Sequence, residues 1–552
     1  MIKSVCDGTG FVNMPETELQ KPNVILILVD DMGFADLGIT GSEIKTPNLD
    51  ALANNGALLT SMYNCARCCP TRASLLTGLY PHNAGIGHMG VDLGTPAYQG
   101  FLRNDSATIA EHLRASGYRT LMSGKWHVAG DFNPRDTDSW RVGDFDHPTP
   151  RQRGFDRFYG TLDGATHFFH PHYILEDDDK VEVSPDSFYY TDAITDKAID
   201  MIGGSVDEDK PFFLYLAHTA PHWPLHALPE DIARYDGVYD CGWDKIRTAR
   251  HEEMNAKGLF HTNWEISPRD SEVMPWQQVE HKHWEAAKMA TYAAMVDRMD
   301  QSVGRLVTAL KRLGQFDNTL ILFLSDNGGC AEFMAEDGWA QSFPDHTLDG
   351  RKITMGNIPN LMPGGDETYQ SYDKPWANVS NAPFRLYKHF VHEGGISTPL
   401  IAHWPDGIKT PSIAQEPCHV TDILPTILEV TGSNYLKELS GHEIQPAQGE
   451  SLIPLIKGCD WKREQPIYFE HEGNCAIRFG NFKLVRQFDH DWELYDMHVD
   501  RTELNNLTGK NSPLEKDLLQ QYSSWAQRTG VLDWSIVLPK ILEAWNMETV
   551  DG

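Results

Sequence analysis

Short unbroken apolar runs punctuate the chain: Val24–Val29 (VILILV), Phe212–Ala217 (FFLYLA), Leu320–Leu324 (LILFL) and Pro399–His403 (PLIAH), each bounded by polar residues, Gly or Pro. Runs of this length without alternation predict strands buried on both faces, as in parallel sheets. A weaker run, Tyr118–Met122, follows a predicted helix from Ser106 to Ser116 that ends at Gly117. The longest amphipathic pattern covers about Glu285 to Leu313. It spaces Met289, Tyr292, Val296, Met299, Val303, Leu306, Leu310 and Leu313 alternately three and four apart, and Gly314 stops it. That stripe predicts core packing and no chemistry. Alternating strand and helix signals predict an α/β fold: a large doubly wound, mostly parallel sheet with helices on both faces.

From about Ile467 the pattern changes to short alternating strands (PIYFEHE, NCAIRFG, NFKLVRQ, DWELYDM) and then an amphipathic helix near Pro513–Arg528. This predicts a small C-terminal antiparallel sheet with one covering helix. The division is an N-terminal extension over 1–20, a main α/β domain over 21–460 and a C-terminal α+β subdomain with tail over 461–552. Two stretches inside the main domain, 226–284 and 331–383, show little periodicity and are rich in Trp, His, Gly and Pro. They read as long insertions that are functional and ordered by their aromatic residues.

Composition narrows the function. Across 552 residues, 47 Lys and Arg face 78 Asp and Glu, a formal charge of −31. Nucleic acid is excluded as a main partner, because phosphate binding needs a basic stripe. A local cationic pocket for an anion remains compatible with that field. No run approaches the roughly 18–20 apolar residues of a membrane span, and residues 1–20 hold no signal-like apolar segment. The expectation is a cytoplasmic protein, or a periplasmic or secreted one if a signal peptide has been removed. Nine cysteines, with only Cys65, Cys68 and Cys69 clustered, make no disulfide framework.

Chemistry gathers where the predicted strands end. VILILV leads into Asp30-Asp31, Met122 into Ser123-Gly124-Lys125-Trp126-His127, FFLYLA into His218 and Pro221-His222, and LILFL into Ser325-Asp326-Asn327-Gly328. In open parallel sheets, ligands sit beyond the carboxyl ends of the strands. A single Asp after a strand is more often a helix N-cap; four strands delivering acids, an amide, a lysine and histidines to one edge is a site. Asp30, Asp31, Asp326 and Asn327 are hard oxygen donors, suited to Ca²⁺, with Mg²⁺ second, rather than Zn²⁺. Cys65-x-x-Cys68 lacks the second pair or histidine spacing of a zinc site.

Cys68-Cys69-Pro70-Thr71-Arg72 fits C-x-P-x-R, and with Leu75-Leu76-Thr77-Gly78 it resembles the signature of type I, formylglycine-dependent sulfatases of the alkaline phosphatase superfamily. Asp30-Asp31-Met32-Gly33, Thr46-Pro47-Asn48-Leu49-Asp50, Gly124-Lys125-Trp126-His127 and Ala220-Pro221-His222-Trp223-Pro224 resemble family blocks in order. Asp326-Asn327-Gly328, Lys388 with Glu393-Gly394-Gly395, and Glu493-Leu494-Tyr495-Asp496 continue the series over roughly 21–530. Arg67 departs from the small or aliphatic residue usual before the signature cysteine. The resemblance implies that a maturation enzyme oxidises Cys68 to formylglycine, whose hydrated form attacks sulfur and later expels sulfate. It implies metal ligation by Asp30, Asp31, Asp326, Asn327 and the modified Cys68, and places Arg72 and Lys125 beside the nucleophile. His127 would be the base of the elimination, and His222 and Lys388 would face the bridging oxygen, with His222 as general acid; His218 is a weaker candidate. The implied substrate is a carbohydrate or aryl sulfate monoester. The alternatives are a phosphonate or phosphate ester hydrolase of the same superfamily and an inactive sulfated-glycan binder. The loop from His82 to Gln99, including His88, the two insertions and Glu470-His471-Glu472-Gly473-Asn474 are expected to wall the pocket.

Overall fold

A computed structural model describes residues 21–130, 143–144, 147–184, 187–260, 264–336 and 345–545. Eight strands of the main sheet come first in the chain. They are β1 (Asn23–Val29), β2 (Ala57–Tyr63), β3 (Arg119–Lys125), β4 (Arg157–Thr161), β5 (Ile174–Glu176), β6 (Asp179–Val181), β7 (Phe212–Ala217) and β8 (Thr319–Ser325). Among the described residues the sheet has eleven strands. Its order runs from Ser412–Ala414 through β2, Ser397–His403, β8, β1, β7, β3 and β4 to β5 and β6, and Cys418–His419 pairs with β2. The central pairings β8–β1, β1–β7, β7–β3 and β3–β4 are parallel, whereas Ser397–His403, β5 and β6 run antiparallel to their neighbours. The sheet is thus mixed and mostly parallel.

Alternate residues of β1 enter opposite cores, which is why the run carries no polar face. Ile25, Ile27 and Val29 pack with Met289, Val296 and Leu306 of the helix Lys282–Arg312. Val24, Leu26 and Leu28 pack with Leu75 and Leu76 of the helix Cys68–Thr77 and with Leu424 and Ile427 of Ile423–Thr431. Helices therefore cover both faces.

Three elements differ from the sequence reading. Strand β3 extends through Lys125, so Ser123, Gly124 and Lys125 lie in the strand instead of beyond it. Gly124 takes φ +115°, and a Cβ there would stand 1.9 Å from the Ala217 carbonyl oxygen, so the close β3–β7 approach requires glycine. Strand β2 escapes notice because Thr60 and Ser61, both buried, break its apolar run. The insertions are partly helical: Trp243–Ala256 and Asp373–Ser380. In the former, Arg247 and Arg250 sit on the buried face, which hides its amphipathic stripe. Arg250 bonds Asp36 Oδ1 and Glu43 Oε1, each at 2.7 Å. Trp243, Trp276 and Trp376 pack edge-on against one another, with centroids 4.7–6.1 Å apart.

At the C-terminus, Ile467–His471, Asn474–Phe479, Phe482–Arg486 and Glu493–Asp496 form a four-stranded antiparallel sheet in chain order. Its Ile477, Leu484 and Leu494 are covered by Leu518, Tyr522 and Trp525 of the helix Ser512–Thr529. The other face, with Phe469, Ala476 and Val485, packs on Tyr63, Val391 and Ile396 of the main domain. A further helix, Trp534–Ala544, seats Val537 and Ile541 against Val91, Leu93 and Tyr98. Among the described residues no helix is long and apolar enough to cross a membrane.

Candidate active site

The parallel strands β1, β8 and β3 bring their carboxyl ends together. Asp30 and Asp31 follow β1, Asp326 and Asn327 follow β8, Lys125 ends β3 with His127 two residues on, and β7 leads to His222. Asp31 (φ 66°) and His127 (φ 57°) hold left-handed backbone conformations that non-glycine residues rarely adopt, a strain that concentrates at functional sites. Cys68 opens the helix Cys68–Thr77, near enough to Lys125, Lys388, Asp30 and Asp326 to feel their charges, and Arg72 lies one turn in.

The charges interlock. Lys125 Nζ donates to Asp30 Oδ2 at 2.5 Å. Arg72 donates to Asp326 Oδ2 at 2.8 Å and to the Lys125 carbonyl at 3.0 Å, with Asp30 Oδ2 at 3.5 Å. Lys388 Nζ donates to Asp31 Oδ2 at 3.0 Å and lies 3.5 Å from His222 Nε2. Asn327 Nδ2 donates to Asp31 Oδ1 at 2.6 Å, and the Asp31 amide to Asp326 Oδ1 at 3.2 Å. His222 Nδ1 lies 2.6 Å from the Trp223 carbonyl, so Nδ1 carries a proton and Nε2 faces Asp31 Oδ2 at 3.4 Å. All these groups are buried.

Burial and the neighbouring Asp30 push the Asp326 carboxyl up, to about 7. Burial opposes ionisation of Asp30 too, yet Lys125, His222 and Arg72 hold it below the usual carboxylate range. Two acceptors remain without a hydrogen bond: Asp30 Oδ1 and Asn327 Oδ1. Orphaned oxygens amid buried carboxylates fit a hard divalent cation. Asp30 and Asp31 also converge with His222 closely enough to share one ion. Burial raises the Cys68 thiol, against the pull of Lys125 and Lys388, the lysines it faces. Burial, with Lys125 and Arg72 adding to it, keeps the His127 imidazole well below its usual range and hence neutral. Its Nδ1 has no hydrogen-bond partner. Burial lowers His222 as well, opposed by Asp31 and Asp30.

The structure thus brings Asp30, Asp31, Cys68, Arg72, Lys125, His127, His222, Asp326, Asn327 and Lys388 to one place. His218 does not join them. Burial pushes its ring down to about 3, and the charges nearest it are Arg305 and Asp192, on the helices packed against the sheet. Glu393 lies elsewhere, bonded to Lys483 and Arg501 under the C-terminal sheet. Glu332 and His389 adjoin the site and were not singled out from the sequence. Their only signal was proximity in sequence to Asp326-Asn327 and Lys388. The Glu470–Asn474 turn does reach the site's edge, where Glu472 Oε2 lies 2.9 Å from His389 Nδ1 and Glu472 Oε1 3.2 Å from His88 Nε2. A separate cavity of about 660 Å³ lies in the insertions, lined by Phe169, Tyr235, Tyr239 and Met362 among others, and shares no residue with the cluster.

The Sulfatase family model matches residues 22–433, and the model for N-sulphoglucosamine sulphohydrolase, C-terminal, matches residues 384–526. An uncharacterized sulfatase of Schizosaccharomyces pombe is 33% identical, over 94% of this chain and 95% of its own length. An arylsulfatase of Klebsiella aerogenes is also 33% identical, over 79% of this chain and 92% of its own. The crystal structure of Ps i-CgsB in complex with k-i-k-neocarrahexaose matches with a TM-score of 0.64 at 26% identity, covering 92% of this chain and 93% of that one.

Proposed function

The chain belongs to the sulfatase family and hydrolyses a sulfuric ester, and we propose that it does so with Cys68 matured to formylglycine and a calcium ion between Asp30, Asp31, Asp326 and Asn327. The observation that carries this reading is the pair of orphaned acceptors, Asp30 Oδ1 and Asn327 Oδ1, in the acid cluster faced by Cys68. Four side-chain oxygen donors, with substrate oxygens, approach the roughly 6–8 that Ca²⁺ takes. When bound, the ion and the matured residue supply a Lewis acid and an oxygen nucleophile for attack on sulfur.

The chain's own groups do the rest. The N-terminus of the helix Cys68–Thr77 favours the sulfate anion. Arg72, Lys125 and Lys388 stay charged despite burial because Asp326, Asp30 and Asp31 hold them so, and they offset the charge of the transferring group. Neutral His127 accepts the proton whose loss frees the product sulfate. His222, fixed through Nδ1 by the Trp223 carbonyl, presents Nε2 beside Lys388. It acts as general acid in its doubly protonated form, which the Asp31 and Asp30 carboxylates favour against burial, and passes the Nε2 proton to the leaving oxygen.

Two measurements test this. Peptide mass spectrometry of active protein, co-produced with a maturation enzyme, locates the oxidised residue at Cys68 and at neither Cys65 nor Cys69; sulfur retained at Cys68 sinks the mechanism. A positioned general acid contributes typically ~10²–10⁴-fold, and a nitrophenolate departs without one. His222→Ala therefore slows an alkyl sulfate far more than nitrophenyl sulfate; equal losses in kcat/KM, in protein of unchanged melting temperature, take the acid role from His222.

A further inference from the structure

Outward from Lys388 the site passes into a collar of four charged residues from four segments. Arg67 directly precedes Cys68 and caps its helix. Glu332 follows the β8 motif, His389 follows Lys388, and Glu472 sits at the turn of the C-terminal hairpin. Glu332 is the link. Its Oε2 accepts from Trp223 Nε1 at 2.7 Å and lies 3.5 Å from Lys388 Nζ. Its Oε1 lies 3.1 Å from His389 Nε2 and 3.4 Å from Arg67 Nη2. Glu472 closes the ring, 2.9 Å from His389 Nδ1 and 3.5 Å from Arg67 Nη1.

Side-chain exposure rises along this path, from 2% at Lys388 to 16% at Glu332, 23% at Glu472 and 25% at His389. The gradient marks the direction in which a leaving group bound at His222 and Lys388 extends toward solvent. The collar sets two carboxylates, which only accept hydrogen bonds, beside a guanidinium and an imidazole that donate. Glu332 and Glu472 take partners within the collar yet stay partly exposed, and an apolar ring laid over them would strip the remaining water and offer no donor in return, which is costly. A ring bearing several hydroxyls donates to Glu332 and Glu472 and accepts from Arg67, while His389, held between the two carboxylates, fixes their positions.

We propose that Arg67, Glu332, His389 and Glu472 form the leaving-group subsite and that the substrate is a sulfated carbohydrate, recognised through ring hydroxyls adjoining the sulfate ester. This rests on the sulfatase reading of Cys68 and adds the substrate class to it.

The test compares matured wild type and Glu472→Gln on nitrophenyl sulfate and on galactose 4-sulfate, galactose 6-sulfate and N-acetylglucosamine 6-sulfate. For the best sugar sulfate, loss of a charged acceptor is expected to lower kcat/KM by roughly tenfold or more, mostly through KM. The loss on nitrophenyl sulfate should be at least tenfold smaller. Equal losses on both substrates overturn the subsite, as does a wild type that cleaves nitrophenyl sulfate and none of the sugars. No turnover of any sulfate ester by protein whose Cys68 has matured overturns the sulfatase reading, and the subsite with it. Should Glu472→Gln melt early, His389→Gln carries the same comparison.

Discussion

Two of the buried charge clusters in this molecule solve the cost of burial differently. At the strand ends, Asp30, Asp31 and Asp326 face Arg72, Lys125 and Lys388, yet Asp30 Oδ1 and the neighbouring Asn327 Oδ1 are left over. Under the C-terminal sheet, Glu393 and Glu503 face Lys483 and Arg501, and every carboxylate oxygen is used. Glu393 Oε1 takes Lys483 at 3.0 Å, and its Oε2 takes Tyr63 at 2.9 Å and Arg501 at 2.8 Å. Glu503 Oε1 takes Lys483 at 2.8 Å and Oε2 the Glu393 amide at 3.1 Å. The first cluster is incomplete in the manner of an ion site; the second is a clasp between the main domain and the C-terminal sheet. What separates function from structure here is which acceptors remain, since both clusters bury acids against bases.

Breaking the clasp has the largest expected effect on stability. Lys483→Met leaves Glu393 and Glu503 buried and facing each other, and removing one partner from a buried network costs about 3–5 kcal/mol. Urea unfolding should show that loss, with kcat on nitrophenyl sulfate preserved in the protein that stays folded. Lys388→Met should do the reverse, costing activity more than stability, because a bound cation compensates Asp31. Equal stability losses from the two variants would erase the distinction between clusters.

The clasp should also be visible in acid. Burial opposes ionisation of Glu393, but Lys483, Arg501 and Arg478 hold its pKa down to about 2, against an ordinary 4.5. A depressed carboxylate stabilises the fold fully above pH 4.5, and that contribution fades as pH falls from 4.5 toward 2. At 1.36 kcal/mol per unit the difference is on the order of 3 kcal/mol. The stability gap between wild type and Glu393→Gln should therefore be wide at pH 7 and narrow steadily below pH 4.5. A gap independent of pH would mean that the Glu393 charge contributes nothing.

The same contrast explains what the sequence could reveal. The strand-end cluster was legible because each acid or lysine comes at or next to the end of an apolar run, so chain order announced spatial order. Only the extent of β3, which includes Lys125, differed. Glu393 follows Lys388 by only five residues, yet it lies under the C-terminal sheet, bonded to Lys483. Glu332 and His389 could not be read: one is an acid in a long insertion, the other one histidine among 24. They acquire meaning only when folding sets both against Arg67. The helix Trp243–Ala256 stayed hidden for a related reason, since its buried Arg250 is paired with Asp36 and Glu43, more than two hundred residues earlier in the chain. Local pattern carries alternation and termination signals; it does not carry long-range charge pairing.

The smallest expected effect is the most direct probe of the incomplete cluster, because it needs no turnover. A ligand that binds only the folded state stabilises it by RT ln(1 + [L]/Kd), about 2.7 kcal/mol at a hundredfold excess over Kd. Calcium added to chelator-treated protein should raise the melting temperature toward that limit, since it would fill Asp30 Oδ1 and Asn327 Oδ1 and relieve the repulsion between Asp30 and Asp326. The rise should shrink sharply in Asp30→Asn, which removes a charge from the ion's cage without adding bulk. It should persist undiminished in Glu393→Gln, because the clasp has no free acceptor to offer. Magnesium should act more weakly, its smaller shell and stricter octahedral geometry suiting a rigid cage of four protein oxygens less well. If calcium stabilises Asp30→Asn as much as wild type, the ion binds elsewhere on this acidic surface, and the two orphaned oxygens lose their meaning. If it stabilises neither, while elemental analysis of active protein finds stoichiometric zinc, the hard-donor reading of the strand-end cluster falls.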